Sequence, residues 1–409
     1  MNKILIINTG SQSKKYSFFF DDERQYSAHF EFENGKHILN EDVNEKYIGH
    51  GDESSSNKLE ISSKDFVNSI AFIINRMINF GVINHKKDVD VLGVRIVASG
   101  SYFQDHKRID KEYIKKLGEA MEKAPLHLKS AIEEVESAKK VLGKDIKIIG
   151  ISDTAFHKTI PAENKYYAIP MKDSLKYDIK KFGYHGISIE SILSKIRNGV
   201  IKDGAGKEIH LPEKVVICHL GGGASVTAVL KGQSVYNSMG FTPLEGLVMA
   251  TRVGNVDAGV VAYLAKKIGV RSILGYLNGK CGLLGVSGKS NDIRELLQNE
   301  KHGGVENADS ALALKMYVTR AKAVIAEAVS VLGGLDMIVF SGTVGERSFI
   351  MRERICEGLG YLGVKIDKDH NNKSEGVETV ISMNENPIVA IVKTDETGAM
   401  VQAVRAVVA

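Results

Sequence analysis

The fold is decided by Lys214 to Leu230, which reads KVVICHL-GGGAS-VTAVL. The apolar run Lys214 to Leu220 is typical of a buried strand, and Val226 to Leu230 is typical of a strand that returns beside it. Between them lies the glycine-rich turn Gly221 to Ser225, whose glycines allow a ligand to approach the backbone closely. This stretch therefore predicts a hairpin whose tip offers backbone N–H groups to an anion.

The same arrangement opens the chain. Lys3 to Asn8 (KILIIN) predicts a buried strand, Thr9 to Ser13 a tight polar turn, and Tyr16 to Phe20 (YSFFF) a return strand. Two copies of one strand–turn–strand unit in a chain indicate a duplicated domain. Because further strands alternate with helices, the predicted fold class is α/β.

The remaining apolar patterns predict the other elements. Strands are expected at residues 89–97, 145–151, 336–340 and 388–392, and helices at 64–80, 110–142 with a break near Pro125, 309–332 and the C-terminal segment. Residues 341–346 are predicted to form a turn. Residues 32–63 are polar and predict edge hairpins and loops, and residues 198–213 predict an inserted loop or hairpin.

Length and charge narrow the class of protein. A chain of 409 residues is too long for one ordinary core and predicts two domains. The net charge of +4, from 54 basic and 50 acidic residues, is too balanced to favour nucleic-acid or membrane binding. The three cysteines are too far apart to indicate a disulfide framework or a metal motif, and no apolar run resembles a signal peptide or a membrane span. We therefore expect a cytoplasmic protein.

Two nucleotide-binding motifs are matched only in part. Gly358 to Gly363 fits GxGxxG, but it follows a helical stretch and precedes a strand, which is the wrong order for a dinucleotide turn. Gly288-Lys289-Ser290 resembles the end of a P-loop, but Leu283 stands where the first glycine is required. Neither motif predicts a nucleotide site.

Polar residues at predicted strand ends form a more informative set. An α/β sheet places ligands at the carboxyl ends of its strands. An isolated aspartate there is more often a cap, and an isolated histidine is more often structural, but Arg95 lies in an otherwise apolar strand and is costly to bury. As a set, these residues supply glycine turns for phosphates, arginines for charge and acids for Mg²⁺, which are the parts that phosphoryl transfer needs. The set comprises Asn8, Arg95, Asp153, His185, Gly221 to Gly223, Arg252, residues 341–346 and Glu396.

A family resemblance is carried by motifs in order along nearly the whole chain. Met239 to Gly246 (MGFTPLEG), continuing to Thr251-Arg252 and Gly254, resembles the signature of acetate kinases and their propionate-kinase relatives. Asn8 to Tyr16 resembles the N-terminal signature of that family, N-A-G-S-S-S-x-K-Y. Further matches are residues 124–127 (APLH), 153–157 (DTAFH), 184–186 (YHG), 219–221 (HLG), 285–288 (GVSG) and 290–292 (SND).

The resemblance implies the acetate and sugar kinase, Hsc70 and actin superfold. That fold has two duplicated actin-like (ribonuclease H-like) domains with an interdomain active-site cleft. The N-terminal domain is expected at residues 1–152 plus about 397–409, and the C-terminal domain, with the nucleotide site, at 153–396. The implied activity is reversible, Mg²⁺-dependent transfer of the ATP γ-phosphoryl group to acetate, by direct in-line attack of the carboxylate, giving acetyl phosphate and ADP. A homodimer is also implied.

The resemblance further implies a role for each matching residue. Arg95, Asp153, His185 and Arg252 are the expected catalytic residues, with Asn8 and Glu396 near Mg²⁺. Arg95 also belongs to the expected substrate site, with Val97, Leu126, Tyr184 and Pro243 as the pocket for the methyl group. The expected nucleotide-binding residues are Lys15, His219, Gly221, Gly222, Gly223, Asp292, Ile293, Arg294, Gly342, Thr343, Val344, Gly345 and Glu346.

The chain departs from the family pattern at several of these motifs. Val94, Ala98 and Ile189 stand where the family has histidine, Gly222 replaces an asparagine, and Thr343 replaces a glycine. Three alternatives follow. Propionate could be the acyl substrate, because a pocket discriminates one methylene by only about 1–3 kcal/mol; pyrophosphate could replace ATP; and the chain could be a non-catalytic binding protein.

Overall fold

The computed structural model describes residues 3–10, 13–33, 35–47, 55–121, 125–203, 206–383 and 385–409, and the side chains of 125–127 lie outside this description. The chain forms two compact units. Unit 1 comprises Met1–Ala155 and Glu396–Ala409, and unit 2 comprises Phe156–Asp395. The domain limits predicted from the sequence, after residue 152 and after residue 396, stay a prediction. The compact units describe how the chain packs, whereas the prediction concerns evolutionary domains.

Unit 1 contains an eight-stranded sheet. Its strands are β1 Lys3–Thr9, β2 Ser13–Phe20, β3 Glu23–Glu33, β4 Lys36–Val43, β5 Ser56–Ile61, β6 Val91–Ile96, β7 Lys107–Arg108 and β8 Lys147–Ser152. They lie in the order β5-β4-β3-β2-β1-β6-β8-β7. Its helices are α1 Ser63–Val67, α2 Ser69–Asn79, α3 Lys111–Ala120, α4 Pro125–Leu142 and the C-terminal α16 Glu396–Val408.

Unit 2 contains a six-stranded sheet and more helices. Its strands are β9 Lys214–Leu220, β10 Ala224–Leu230, β11 Gln233–Asn237, β12 Met337–Ser341, β13 Thr379–Val380 and β14 Ile388–Ile391, in the order β11-β10-β9-β12-β14-β13. Its helices are α5 Ala162–Lys165, α6 Met171–Tyr177, α7 Gly186–Arg197, α8 Ala258–Ile268, α9 Val270–Gly279, α10 Gly282–Ser287, α11 Ile293–His302, α12 Ala308–Leu332, α13 Gly342–Arg347, α14 Phe349–Glu357 and α15 Lys368–Lys373.

The two sheets share one topology, which confirms the predicted duplication. In unit 1, β3, β2 and β1 are antiparallel neighbours, and β6 and β8 continue the sheet parallel to β1. In unit 2, β11, β10 and β9 repeat the antiparallel part, and β12 and β14 repeat the parallel part. Each sheet ends in a short antiparallel strand, β7 or β13. The predicted actin-like α/β class is therefore confirmed.

Helices cover the sheets where small residues allow close packing. A Cβ atom on Gly93 of β6 would lie 2.6 Å from Val404 Cγ2 of α16 and 2.8 Å from Ile6 Cδ1 of β1. Only glycine therefore permits α16 to pack this closely on the sheet of unit 1. In unit 2, the long helix α12 packs across β9, β10 and β11, and ends at left-handed Gly333.

The prediction of edge hairpins at residues 32–63 is confirmed, because β4 and β5 lie there as antiparallel strands at the edge of the unit 1 sheet. Leu39 and Val43 of β4 belong to the core of unit 1. Other local predictions were wrong. The single helix expected at 64–80 is interrupted at Asn68, which ends α1 and begins α2. The turn expected at 341–346 is the start of helix α13. Among the described residues, no helix is long and apolar enough to cross a membrane.

Candidate active site

Arg95 is the centre of a charged cluster in unit 1. Its Nε and Nη2 atoms donate to Asp153 Oδ1 at 3.2 and 3.0 Å. Its Nη1 atom donates to Asn8 Oδ1 at 3.3 Å and to Glu396 Oε2 at 3.4 Å. Asn8 Nδ2 also donates to Glu396 Oε2, at 2.8 Å. The structure thus brings together four residues that the sequence predicted for the site.

The topology explains why these four side chains meet. Asn8 and Arg95 lie near the carboxyl ends of the parallel neighbours β1 and β6, and Asp153 directly follows β8, the next strand. Glu396 is the first residue of α16. The carboxyl ends of parallel strands share one edge of a sheet, where α/β proteins place their ligands.

The charges of the cluster keep Arg95 protonated. Burial by itself lowers the pKa of Arg95, but the nearby charges of Asp153 and Glu396 outweigh that effect and leave the pKa above its ordinary value. Asp153 is 1% exposed, so its carboxylate depends on this partner. Two carboxylates around one guanidinium leave the cluster with a net negative charge, which suits a cation.

The oxygen atoms of this cluster fit Mg²⁺. Among the described residues, no group of three or more His, Cys, Asp or Glu side chains could hold a metal ion on its own. Mg²⁺ is commonly held by only one or two carboxylates, together with water and substrate phosphates. Glu396 offers one such carboxylate, and the amide oxygen of Asn8, which accepts from Arg95, offers a further oxygen in the same cluster.

A second cluster in unit 2 joins His185, Gly223 and Arg252. A Cβ atom on Gly223 would lie 3.3 Å from His185 Nε2 and 3.5 Å from Arg252 Nη1. His185 Nδ1 is 2.9 Å from Ser225 Oγ, and Arg252 Nη1 donates to the carbonyl of Pro243 at 3.1 Å. The tip of the β9–β10 hairpin therefore lies against both side chains.

The predicted phosphate turn lies beside the start of α13. Gly221 N donates to Gly223 O at 3.0 Å, which closes the turn. A Cβ atom on Gly221 would be 3.8 Å from Thr343 N, and one on Gly342 would be 2.7 Å from the carbonyl oxygen of Leu220. Gly342 also has a φ of 74°, so the contact of α13 with β9 requires glycine there.

The other residues predicted to bind the nucleotide differ in their surroundings: some are hydrogen-bonded within unit 2, and others are buried or exposed. Glu346 Oε1 accepts from Gly342 N at 2.9 Å. The Asp292 carboxylate accepts from the backbone and guanidinium of Arg294, and the hydrogen bond from Arg294 lowers its pKa. Ile293 is buried at the start of α11, whereas Thr343 is exposed.

The remaining predicted site residues are dispersed over the two units. Lys15 is exposed on β2 and pairs in the ladder with Asn8 of unit 1, and Val97 directly follows β6 there. In unit 2, the rings of His219 and His185 are 4.4 Å apart, and the buried Tyr184 donates its hydroxyl to Phe241 O at 2.9 Å. The side chain of Leu126 lies outside the described residues.

The three positions that depart from the family's histidines are apolar core positions here. Val94, Ala98 and Ile189 are all 0% exposed. Their side chains pack with other buried apolar residues of their own units. At these three positions, apolar packing therefore takes the place of the polar contacts that a histidine could make.

Sequence reasoning missed several residues that support the site. Ser225 contacts His185, while His157 and Asn237 bond to the backbone of Tyr184. The fully buried Arg352 donates to the carbonyls of Gly345 and Glu346 at 2.9 and 3.0 Å and so holds the end of α13. The sequence does contain one signal for the structural role of Arg352. It lies in a helical segment and has no acidic residue three or four positions away that could pair with it.

The fold and these clusters define a phosphotransferase of the actin-like superfold, and comparison with known proteins identifies the family. The Acetokinase family model matches residues 3–402. The chain is 34% identical over 403 residues to the acetate kinase of Thermoanaerobacterium thermosaccharolyticum, covering 96% of each chain. The chain therefore belongs to the acetokinase family, whose members are kinases that act on a carboxylate.

Two solved structures resemble the whole chain. The acetate kinase of Porphyromonas gingivalis has a TM-score of 0.82 at 30% identity and covers 100% of both chains. The propionate kinase of Francisella tularensis has a TM-score of 0.84 at 27% identity, covering 98% of this chain and 99% of the other. The similarity thus extends over both units.

Proposed function

We propose that this enzyme transfers the γ-phosphoryl group of ATP reversibly to acetate, giving acetyl phosphate and ADP. The observation that carries the proposal is the cluster of Arg95, Asp153, Asn8 and Glu396 at one edge of the unit 1 sheet. It combines an anion-binding guanidinium with oxygen donors for a cation. Names of relatives in the same family support acetate as the acceptor.

The chemistry requires little acid–base catalysis. Acetate is already ionised at neutral pH, because the carboxyl group has a pKa near 4. Its attack on a phosphate joins two anions, so the enzyme must hold them in line and offset their repulsion. An arginine fork is suited to a carboxylate or a phosphoryl group, which is the role we assign to Arg95 and Arg252.

The other residues complete this assignment. His185 donates to phosphoryl oxygens as charge develops, and Asp153 holds the guanidinium of Arg95 in its orientation. The Gly221 to Gly223 turn and the start of α13 receive the nucleotide, with Lys15, His219, Asp292, Ile293 and Arg294 as further contacts. Val97, Leu126, Tyr184 and Pro243 surround the methyl group. Asn8 and Glu396 would hold Mg²⁺, whose positive charge would offset the negative charge of the phosphates.

Propionate is the second candidate acceptor. The Francisella tularensis propionate kinase resembles this chain as closely in fold as the acetate kinase of Porphyromonas gingivalis does. One extra methylene in a pocket changes binding by only about 1–3 kcal/mol, so a single family scaffold accommodates either acid.

Hydroxylamine trapping of acyl phosphate tests the proposal. With acetate, ATP and Mg²⁺ we expect a hydroxamate signal that is lost without Mg²⁺, and parallel assays with propionate rank the two acids. A hydroxamate signal with pyrophosphate but not with ATP would show that pyrophosphate is the phosphoryl donor. No signal with either donor would contradict the proposed activity.

We also propose that the two domains are divided at 152/153 and 396/397.

We further propose that the enzyme is a cytoplasmic homodimer. Helix α8 has no buried residue and exposes Val260 and Tyr263 at 45% and 61%, and Val270 at the start of α9 is 78% exposed. These exposed apolar side chains support burial of this surface against a second copy of the chain. The three free cysteines are consistent with a reducing compartment. Light scattering from the purified protein tests the dimer.

A further inference from the structure

His185 has an unusual backbone conformation. Its φ of 62° and ψ of 21° are left-handed, and it directly precedes α7. A non-glycine residue is strained in this region and persists there only where its surroundings enforce it. The imidazole reaches Ser225 and the Gly223 turn from this backbone, so the conformation determines where the ring lies.

The peptide bond before His185 is held by two buried side chains. The carbonyl of Tyr184 accepts from His157 Nε2 at 2.9 Å and from Asn237 Nδ2 at 3.2 Å. The N–H of Tyr184 donates to Asn237 Oδ1 at 3.4 Å. Gly183 has a φ of 73°, and a Cβ atom on it would be 2.5 Å from His157 Cγ. His157 therefore packs on Gly183 and bonds to Tyr184 in the two residues before His185.

The partners of His157 establish which nitrogen carries its proton. A carbonyl oxygen can only accept, so Nε2 bears the hydrogen that points at Tyr184 O. Nδ1 then accepts from the hydroxyl of Ser234 at 2.8 Å. Burial lowers the pKa of His157 to about 4, which keeps the ring neutral at physiological pH. Both nitrogens of this fully buried ring are thus committed to neighbours.

We propose that His157 is a positioning residue that holds the Tyr184–His185 peptide and so keeps the His185 imidazole aimed at the Gly223 turn. The inference rests on the proposed role of His185 in phosphoryl transfer. It assigns an effect on the rate, rather than on substrate binding, to a fully buried histidine.

The test compares His157→Leu with His157→Gln. Leucine keeps much of the volume but removes the donor, whereas glutamine places an amide N–H near the position of Nε2. We expect His157→Leu to lower kcat by about 10²-fold, the loss typical of a 1 Å misplacement of a reacting group. KM for acetate and ATP should stay within about threefold of the wild type, and His157→Gln should recover at least about tenfold in kcat.

Thr159→Ala is the matched control. Thr159 Oγ1 donates to Ser234 O at 2.8 Å, so its loss removes a hydrogen bond from the same region without touching Tyr184. We expect kcat of Thr159→Ala to stay near that of the wild type even where Tm falls. Equal kcat in His157→Leu and wild type, with both folded, would overturn the inference.

A second readout separates this inference from the proposed function. The ¹⁵N resonances of the His185 ring report its surroundings without any substrate. They should shift in His157→Leu and return toward the wild type in His157→Gln. Unchanged His185 resonances in His157→Leu would refute the positioning role, whereas a wild type inactive with every donor would refute only the activity.

Discussion

The two sheets have the same strand order, but their functional ends differ in chemistry. In unit 1 the strand ends carry charged side chains, namely Arg95 and Asp153, with Glu396 beside them. At the matching ends of β9 and β12, unit 2 has glycine: the Gly221 to Gly223 turn and Gly342. The strand ends of unit 1 therefore carry charged side chains, whereas those of unit 2 carry glycine, and His185 and Arg252 reach Gly223 from segments outside the strands.

This difference shows how duplication supports a two-substrate reaction. Charged side chains can bind and orient small anions that must react. Glycine backbone allows a large ligand with several phosphates to approach, because there is no Cβ in the way. The common topology supplies two equivalent edges, and the residues at each edge determine what it does. Removing residues from one edge at a time tests this division.

The largest effect is expected from the charged edge. Arg95→Ala should lower kcat by about 10³-fold or more, the range seen when a phosphoryl-transfer arginine is lost. Arg252→Ala, beside the Gly223 turn of unit 2, should act similarly, because we assign it the same role. Arg24→Ala is the control, since the Arg24 guanidinium forms an exposed ion pair with Asp42 at 3.5 Å. Circular dichroism must show that the variants fold. Full activity in both Arg95→Ala and Arg252→Ala would contradict the assignment.

The next effect concerns Glu190 on α7, the helix that begins after His185. Burial raises the pKa of Glu190 from 4.5 to about 7. Because the unfolded chain ionises at lower pH, the folded state loses stability as pH rises from about 4.5 to 7, by about 3 kcal/mol at about 1.4 kcal/mol per pH unit. Glu190→Gln should therefore stabilise the protein at pH 8 and change little near pH 4.5.

Urea unfolding at several pH values measures this difference. The gap in the free energy of unfolding between Glu190→Gln and the wild type should widen up to about pH 7 and then stay constant. A gap that is the same at all pH values would show that Glu190 ionises normally in the folded state.

A smaller loss is expected at the glycine edge. Gly342→Ala should destabilise unit 2 by about 1–3 kcal/mol, because its φ of 74° is left-handed and its Cβ would meet Leu220 O. Gly222→Ala is the control, since no atom of the described residues, apart from its chain neighbours, lies within 4 Å of its Cβ position. Its stability should stay within about 0.5 kcal/mol of the wild type. Equal unfolding midpoints for the two variants would contradict the close contact of α13 with β9.

The smallest effect is expected from Ser225→Ala. This change removes one neutral hydrogen bond to His185 Nδ1, which is worth about 0.5–1.5 kcal/mol. We expect kcat to fall by roughly 2- to 10-fold with little change in Tm. A loss as large as that of Arg95→Ala would mean that Ser225 contacts the reacting groups itself.

Much of the fold could be predicted because local pattern and tertiary structure agree. The apolar runs Lys3 to Asn8 and Lys214 to Leu220 are strands as predicted, and the repetition of turn and return strand indicated duplication. The edge hairpins at residues 32–63 could be predicted only without strand limits, because β4 and β5 include polar and charged residues such as Glu41, which is buried and paired with Arg76. Pairing between distant segments determines such strands, and a single-sequence pattern does not contain it.

The site shows the same division. Arg95, Asp153 and Asn8 could be placed together because each follows or ends an apolar strand. His157 and Asn237 could not be assigned, since their contacts to Tyr184 span 27 and 53 residues of sequence. Asp292 and Arg294 were named only through the family resemblance, and neither their place at the start of α11 nor their mutual ion pair gave a sequence signal of its own.

The most direct test of this account is ADP binding by calorimetry, compared with turnover, in the wild type and Arg95→Ala. If the charged edge performs the chemistry and the glycine edge holds the nucleotide, Arg95→Ala should bind ADP within about threefold of the wild type while kcat falls by about 10³-fold or more. A parallel loss of ADP affinity and turnover, or full turnover, would contradict the division of roles between the two sheets.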